Sequence, residues 1–254
     1  SIQCFGGETV EATHHADAIG DAVATQNDGE DITSSILKAA GSSDGYAIVA
    51  GLKSGSLVEQ LLTQSRFNVI AIDTDAERIE LLRRKFGADE QFQSRFQALV
   101  ATPKDVRLPP YIASLIATED LERSQLTTEL RLRSVYENLR PYGGAICLPV
   151  DEPDREAILK TVSAGDFPGV NIELADEMLI LRREGPLPGS AVWSHETGDA
   201  SRVFFSRDEL VKAPLGVLWY GDGPDHGFYK RKDYGHGVKP QVAGGRMFAL
   251  QIAS

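Results

Sequence analysis

Between residues 32 and 164 short continuous apolar runs alternate with amphipathic stretches, and that alternation restricts the chain more than any other feature. "GYAIVAG" (45–51) is a β-compatible run, and "SLVEQLLTQ" (56–64) after it repeats Leu57, Val58, Leu61 and Leu62 at helical spacing. "FNVIAID" then precedes "AERIELLRRKF", where Ile79, Leu82 and Phe86 share a face and Asp75 is placed to cap the helix. "RFQALVA" and "YIASLIA" read as further strands, followed by one long helix over roughly 122–139 with Leu132, Val135, Tyr136 and Leu139 aligned. "GAICLP" and "DEPDREAILKTVSA" give one more strand and helix, with Asp151 or Asp154 near the helix start. Strands apolar on both faces, separated by helices, require a mainly parallel sheet covered on both sides.

The end of this region breaks the pattern. "VNIEL" and "EMLILRR" are separated only by "ADE", too short for a crossover helix, so these two must pair antiparallel. The expected fold is α/β, a Rossmann-like doubly wound sheet of about seven strands with the last one antiparallel. "ITSSILKAA" adds a helix ahead of the first strand.

Charge and texture divide the 254 residues further. Residues 1–31 carry seven acids and no Lys or Arg, which predicts an acidic flexible tail before a domain over 32–184. "EGPLPGS" marks a linker at 185–190, and residues 191–254 hold both tryptophans and short apolar runs between polar turns. That last stretch has β texture with too few strands to close a sheet. The net charge of −11 disfavours nucleic acid as a partner, and no apolar run is long enough to span a membrane. The start lacks the basic-then-apolar pattern of a signal peptide, and a soluble protein is expected; the compartment stays open. Cys147 lies in an apolar run and reads as core, so the two cysteines imply no disulfide framework.

Three stretches of the domain carry a resemblance. "VAGLKSGSL" (49–57), "VIAIDTD" (69–75) and "LRPYGGAICL" (139–148) resemble, in order, the first glycine loop, the acidic end of the second strand and the turn into the fifth strand of class I S-adenosylmethionine-dependent methyltransferases. The resemblance implies S-adenosylmethionine as cofactor. Its binding residues would be Gly51, Lys53 and Gly55 in the loop, Asp73 and Thr74 after the second strand, and Thr102 after the third. Asp73 would accept the ribose hydroxyls, while Glu119 and Asp120 after the fourth strand would face the transferred methyl. Each residue also has a plainer role: the glycines can simply let the chain turn, and Asp73, Glu119 and Asp120 can cap local backbone.

Three positions depart from the family pattern. Val49 stands where an acid is expected, Lys53 where a second glycine is, and Thr102 where an acid follows the third strand. Loss of a carboxylate and gain of a cation both weaken the attraction for a ligand bearing an ammonium and a sulfonium. The dinucleotide pattern G-x-G-x-x-G fits less well, since Lys53 and Ser56 occupy two of its glycine positions.

Residues 191–250 resemble the opening of quinoprotein-like β-propellers fused to methyltransferase-like domains in large bacterial proteins, through "VWSHETGD", "PLGVLWYG" and "GHGVKPQVAGGRMF". About one blade is present, whereas a propeller needs several, so a fragment of a longer protein with an attached propeller is expected. An unfinished blade also predicts self-association. His195, His226 and His236 with Asp199 and Asp225 match no zinc spacing, and no metal is predicted. Two functions follow: a methyltransferase with weakened or lost activity on an unknown acceptor, or a non-catalytic scaffold for the propeller.

Overall fold

A computed structural model describes residues 29–175, 177–211, 214 and 241–248. Seven strands form one sheet: β1 (Asp44–Ala50), β2 (Arg66–Asp73), β3 (Phe96–Val100), β4 (Ala113–Ala117), β5 (Gly144–Pro149), β6 (Val170–Ala175) and β7 (Met178–Arg183). Their order is β3-β2-β1-β4-β5-β7-β6. β1 to β5 pair in parallel, and β7 inserts antiparallel between β5 and β6, as the short "ADE" connection requires.

The helices are α1 (Gly29–Ala40), α2 (Ser56–Gln64), α3 (Ala76–Gly87), α4 (Leu121–Ser124), α5 (Glu129–Asn138) and α6 (Glu152–Ala164). Period-two alternation sends successive strand residues to opposite cores. Ala47, Val49, Val69, Ala71, Leu115 and Cys147 pack with α1, α2 and α3 through Ile36, Leu61 and Ile79. Ile48, Ile70, Ile72, Ile116, Ile146 and Leu148 face the other side and meet Leu132, Val135 and Ile158 of α5 and α6. Both faces of the central strands are therefore dry, which is why their sequences are apolar without interruption.

The single helix expected over 122–139 is two helices. Gln125 takes a left-handed conformation (φ 54°), and its N–H closes back on the carbonyls of Leu121 and Glu122, ending α4 after one turn. Helical periodicity in Leu132, Val135 and Tyr136 is real but starts only at Glu129. α1 begins at Gly29, so the acidic tail expected over 1–31 lies outside the described residues except for its last three.

Beyond the sheet, β8 (Gln241–Ala243) and β9 (Arg246–Phe248) form an antiparallel pair. Trp193 exchanges two backbone hydrogen bonds with Val242, at 2.8 and 2.7 Å. The hairpin turn rests on Tyr142, whose ring stands 2.5 Å from where a Cβ on Gly245 would be. His226, His236 and Asp225 lie outside the described residues. Among the described residues no group of three or more His, Cys, Asp or Glu is placed to hold a metal ion, and no helix is long and apolar enough to cross a membrane.

Candidate functional site

The sheet is wound outward in both directions from β1: β2 and β3 extend one way, β4 and β5 the other. Such a reversal leaves a crevice at the carboxyl ends of β1 and β4, where open α/β sheets place their ligands. Four loops reach it: 51–55 after β1, 74–75 after β2, 101–105 after β3 and 118–120 after β4.

Gly51 and Gly55 are both left-handed, at φ 76° and 80°, so each needs glycine for backbone reasons. Packing adds to the need. A Cβ on Gly51 would stand 2.5 Å from the Asp120 carbonyl oxygen and 2.6 Å from the Ser124 nitrogen, so α4 sits directly on this turn. A Cβ on Gly55 would meet Leu82 of α3 at 2.6 Å. The glycines let protein segments approach one another closely.

Asp73 ends β2 with a fully buried side chain. Its Oδ2 accepts from the Leu52 N–H at 2.7 Å and its Oδ1 from the Asp75 N–H at 2.8 Å. Arg123, from α4, donates to the same oxygens at 3.5 and 3.3 Å and also reaches Asp75 at 3.3 Å. A carboxylate offers about four lone-pair positions, and all are taken here. Burial pushes the Asp73 carboxyl upward, but the amides of Leu52 and Asp75 and the Arg123 guanidinium outweigh it and hold the pKa below the ordinary 3.8. The hydrogen bond that Arg123 donates to Asp73, with the charge of that carboxylate, raises the Arg123 pKa in turn.

Glu119 is the second anchored carboxylate. Its Oε2 accepts from the amides of Lys53, Ser54 and Gly55 at 2.6, 3.1 and 2.8 Å, and its Oε1 from the Leu57 amide at 2.7 Å. Glycine at the N-cap position of α2 has no side chain to accept from the first turn, and the Glu119 carboxylate from across the crevice takes the Leu57 amide there together with the three loop amides ahead of the helix. The 118–120 turn is also fastened to Gly51, whose carbonyl accepts from Glu119 and Asp120 N–H, each at 3.1 Å, and from the Thr118 hydroxyl at 3.4 Å.

The structure thus brings Gly51, Gly55, Asp73, Glu119 and Asp120 to one spot, with the backbone of Lys53 among them. Asp120 caps α4 by accepting from the Arg123 N–H at 2.9 Å. Thr74 and Lys53 are exposed, and the Thr102 hydroxyl is turned to Asp105 at 2.6 Å. Val49 is fully buried in the apolar core beneath α1 and α2. Arg123 escaped sequence reasoning, because nothing about an Arg two residues into a helix tells which carboxylate it will reach. Two cavities open elsewhere on this rim, about 560 Å³ beside Asp151 and Glu177 and about 330 Å³ beside Leu121 and Thr128; neither is lined by Gly51, the 52–55 loop or Asp73.

No family model matches the chain, and no curated protein is similar to it. Solved structures are similar in fold. A Methanococcus maripaludis protein provisionally assigned as an S-adenosyl-L-methionine-dependent methyltransferase superposes with a TM-score of 0.53 at 18% identity, over 61% of this chain and 85% of its own. A Streptomyces coelicolor geranyl diphosphate C-methyltransferase gives 0.49 at 9% identity, over 61% and 79%. A Thermotoga maritima S-adenosylmethionine-dependent O-methyltransferase gives 0.46 at 12%, over 62% and 66%. The first of these carries the conclusion that the seven-stranded sheet and its helices have the methyltransferase fold, a Rossmann-like sheet with an antiparallel strand near its end.

Proposed function

We propose that residues 32–184 are a methyltransferase-type domain that takes S-adenosylmethionine, or its demethylated product S-adenosylhomocysteine, in the crevice above β1, β2 and β4, with weakened affinity. One observation carries this reading: a buried carboxylate, Asp73, stands beside a left-handed glycine loop at the winding reversal of the sheet. The cofactor brings an electrophilic methyl group, and its transfer depends on positioning more than on a base. In the conformation described, the crevice does not fit it. Both oxygens of Asp73 are engaged by protein donors, and Glu119 covers the loop amides.

That same self-occupancy favours a second reading, in which the domain is a non-catalytic scaffold. In either case residues 185–190 link it to 191–254, which we read as the opening of a quinoprotein-like propeller. Calorimetric titration with S-adenosylmethionine and S-adenosylhomocysteine separates the two. The first reading expects binding in the micromolar range that Asp73→Asn abolishes while far-UV circular dichroism is unchanged. Absence of binding to millimolar concentration, in the wild type and in variants that unblock the crevice, refutes it and leaves the scaffold.

A further inference from the structure

The amides of the 53–57 turn and one side of Asp73 are paired with residues 118–123, while the Leu52 and Asp75 amides hold Asp73 from within its own side of the crevice. Glu119 holds the four amides of the 53–57 turn, Arg123 holds Asp73, and the Thr118–Asp120 backbone is fastened to Gly51. Four convergent N–H groups at a glycine turn and helix start form an anion site. The charged group on them is the protein's own carboxylate. Glu119 is only partly buried and the Arg123 side chain is 36% exposed, so both side chains can leave without unpacking a core.

We propose that the side chains of Glu119 and Arg123 form an autoinhibitory latch, in which Glu119 competes directly with the carboxylate of an incoming ligand and Arg123 competes with its vicinal hydroxyls for Asp73. The inference rests on the cofactor reading above. Its ligand class is a nucleoside carrying a carboxylate tail. Release of the latch exposes two complementary features at once: amides for the anionic end and a carboxylate for the hydroxyl end. An acid placed at residue 119 thereby sets affinity without touching the core strands.

The test is calorimetry on the full 254-residue chain with S-adenosylhomocysteine and, in parallel, adenosine, which lacks the carboxylate. Glu119→Ala is expected to tighten S-adenosylhomocysteine by about tenfold or more and adenosine by less than about threefold. Arg123→Gln is expected to tighten both. Glu119→Gln keeps the side-chain shape and removes the charge, and should show a smaller gain with the same selectivity. Hydrogen exchange reports the latch itself, through faster exchange of the Lys53 to Leu57 amides in Glu119→Ala with β1 and β4 still protected. If the wild type binds as tightly as the Glu119 variants, or if adenosine gains as much as S-adenosylhomocysteine from Glu119→Ala, the latch is refuted and the cofactor reading stands. If no protein in the series takes either ligand at millimolar concentration, the cofactor reading falls and the latch with it.

Discussion

Replacing Asp73 by Asn tests whether the buried carboxylate at the end of β2 is a structural anchor in its own right. The wild-type side chain accepts two short amide bonds, from Leu52 and Asp75, and faces Arg123. Asn keeps one acceptor oxygen and presents an NH2 to donors on the other side. Losing one hydrogen bond to a charged acceptor costs about 1.5–3 kcal/mol, and an opposed, unpaired N–H adds to it. The Arg123 contact adds little to this, because that side chain is solvated. The sum is about 3 kcal/mol at pH 7, a large fraction of the roughly 5–15 kcal/mol typical of a folded protein. Urea unfolding followed by circular dichroism measures it. Because the native carboxyl titrates below the ordinary 3.8, the unfolded chain takes up its proton first as pH falls. The advantage of Asp over Asn is therefore full above about pH 5, and it is lost as pH falls past 3.8 and through the lower native value. A difference under about 1 kcal/mol at pH 7, or one that persists undiminished at pH 2.5, refutes the assignment.

Gly51→Ala is expected to cost about 3 kcal/mol or more, from the left-handed backbone and from a methyl group driven into fixed backbone atoms of Asp120 and Ser124. Gly55→Ala should cost less, about 1–2 kcal/mol, since its neighbour is the flexible end of Leu82; denaturant midpoints that reverse this ranking contradict the packing described. Burial pushes the Cys147 thiol up from 9.0 to about 12, with Arg182 opposing. Alkylation at pH 8.5, read on the Cys147 peptide by mass spectrometry, should proceed only as fast as the chain unfolds. Its contribution to stability is intact below pH 9.0 and declines from there toward about pH 12, because the unfolded thiol ionises first.

Much of the fold was readable residue by residue. Asp75 caps α3 through the amides of Glu77 and Arg78, and Asp151 caps α6 through Asp154, as short-range hydrogen-bonding rules require. The reading failed at Gln125, where apolar spacing on either side concealed a break. A left-handed Gln leaves no compositional mark. At the site, Asp120 turned out to cap α4, whereas Glu119 serves a helix 62 residues earlier in the chain, counted to Leu57.

Continuous apolar runs and helical spacing determine the sheet, because burying both faces of a strand is a local property of its composition. Val49, Ile70 and Ile116 are accordingly all buried. What each carboxylate does is decided by distance in space. Asp73 meets Arg123 across 50 residues, and Glu119 meets the 53–57 amides across more than 60. Such pairings depend on where the strand ends converge, and a polar side chain at a loop carries no record of the partner that folding brings to it.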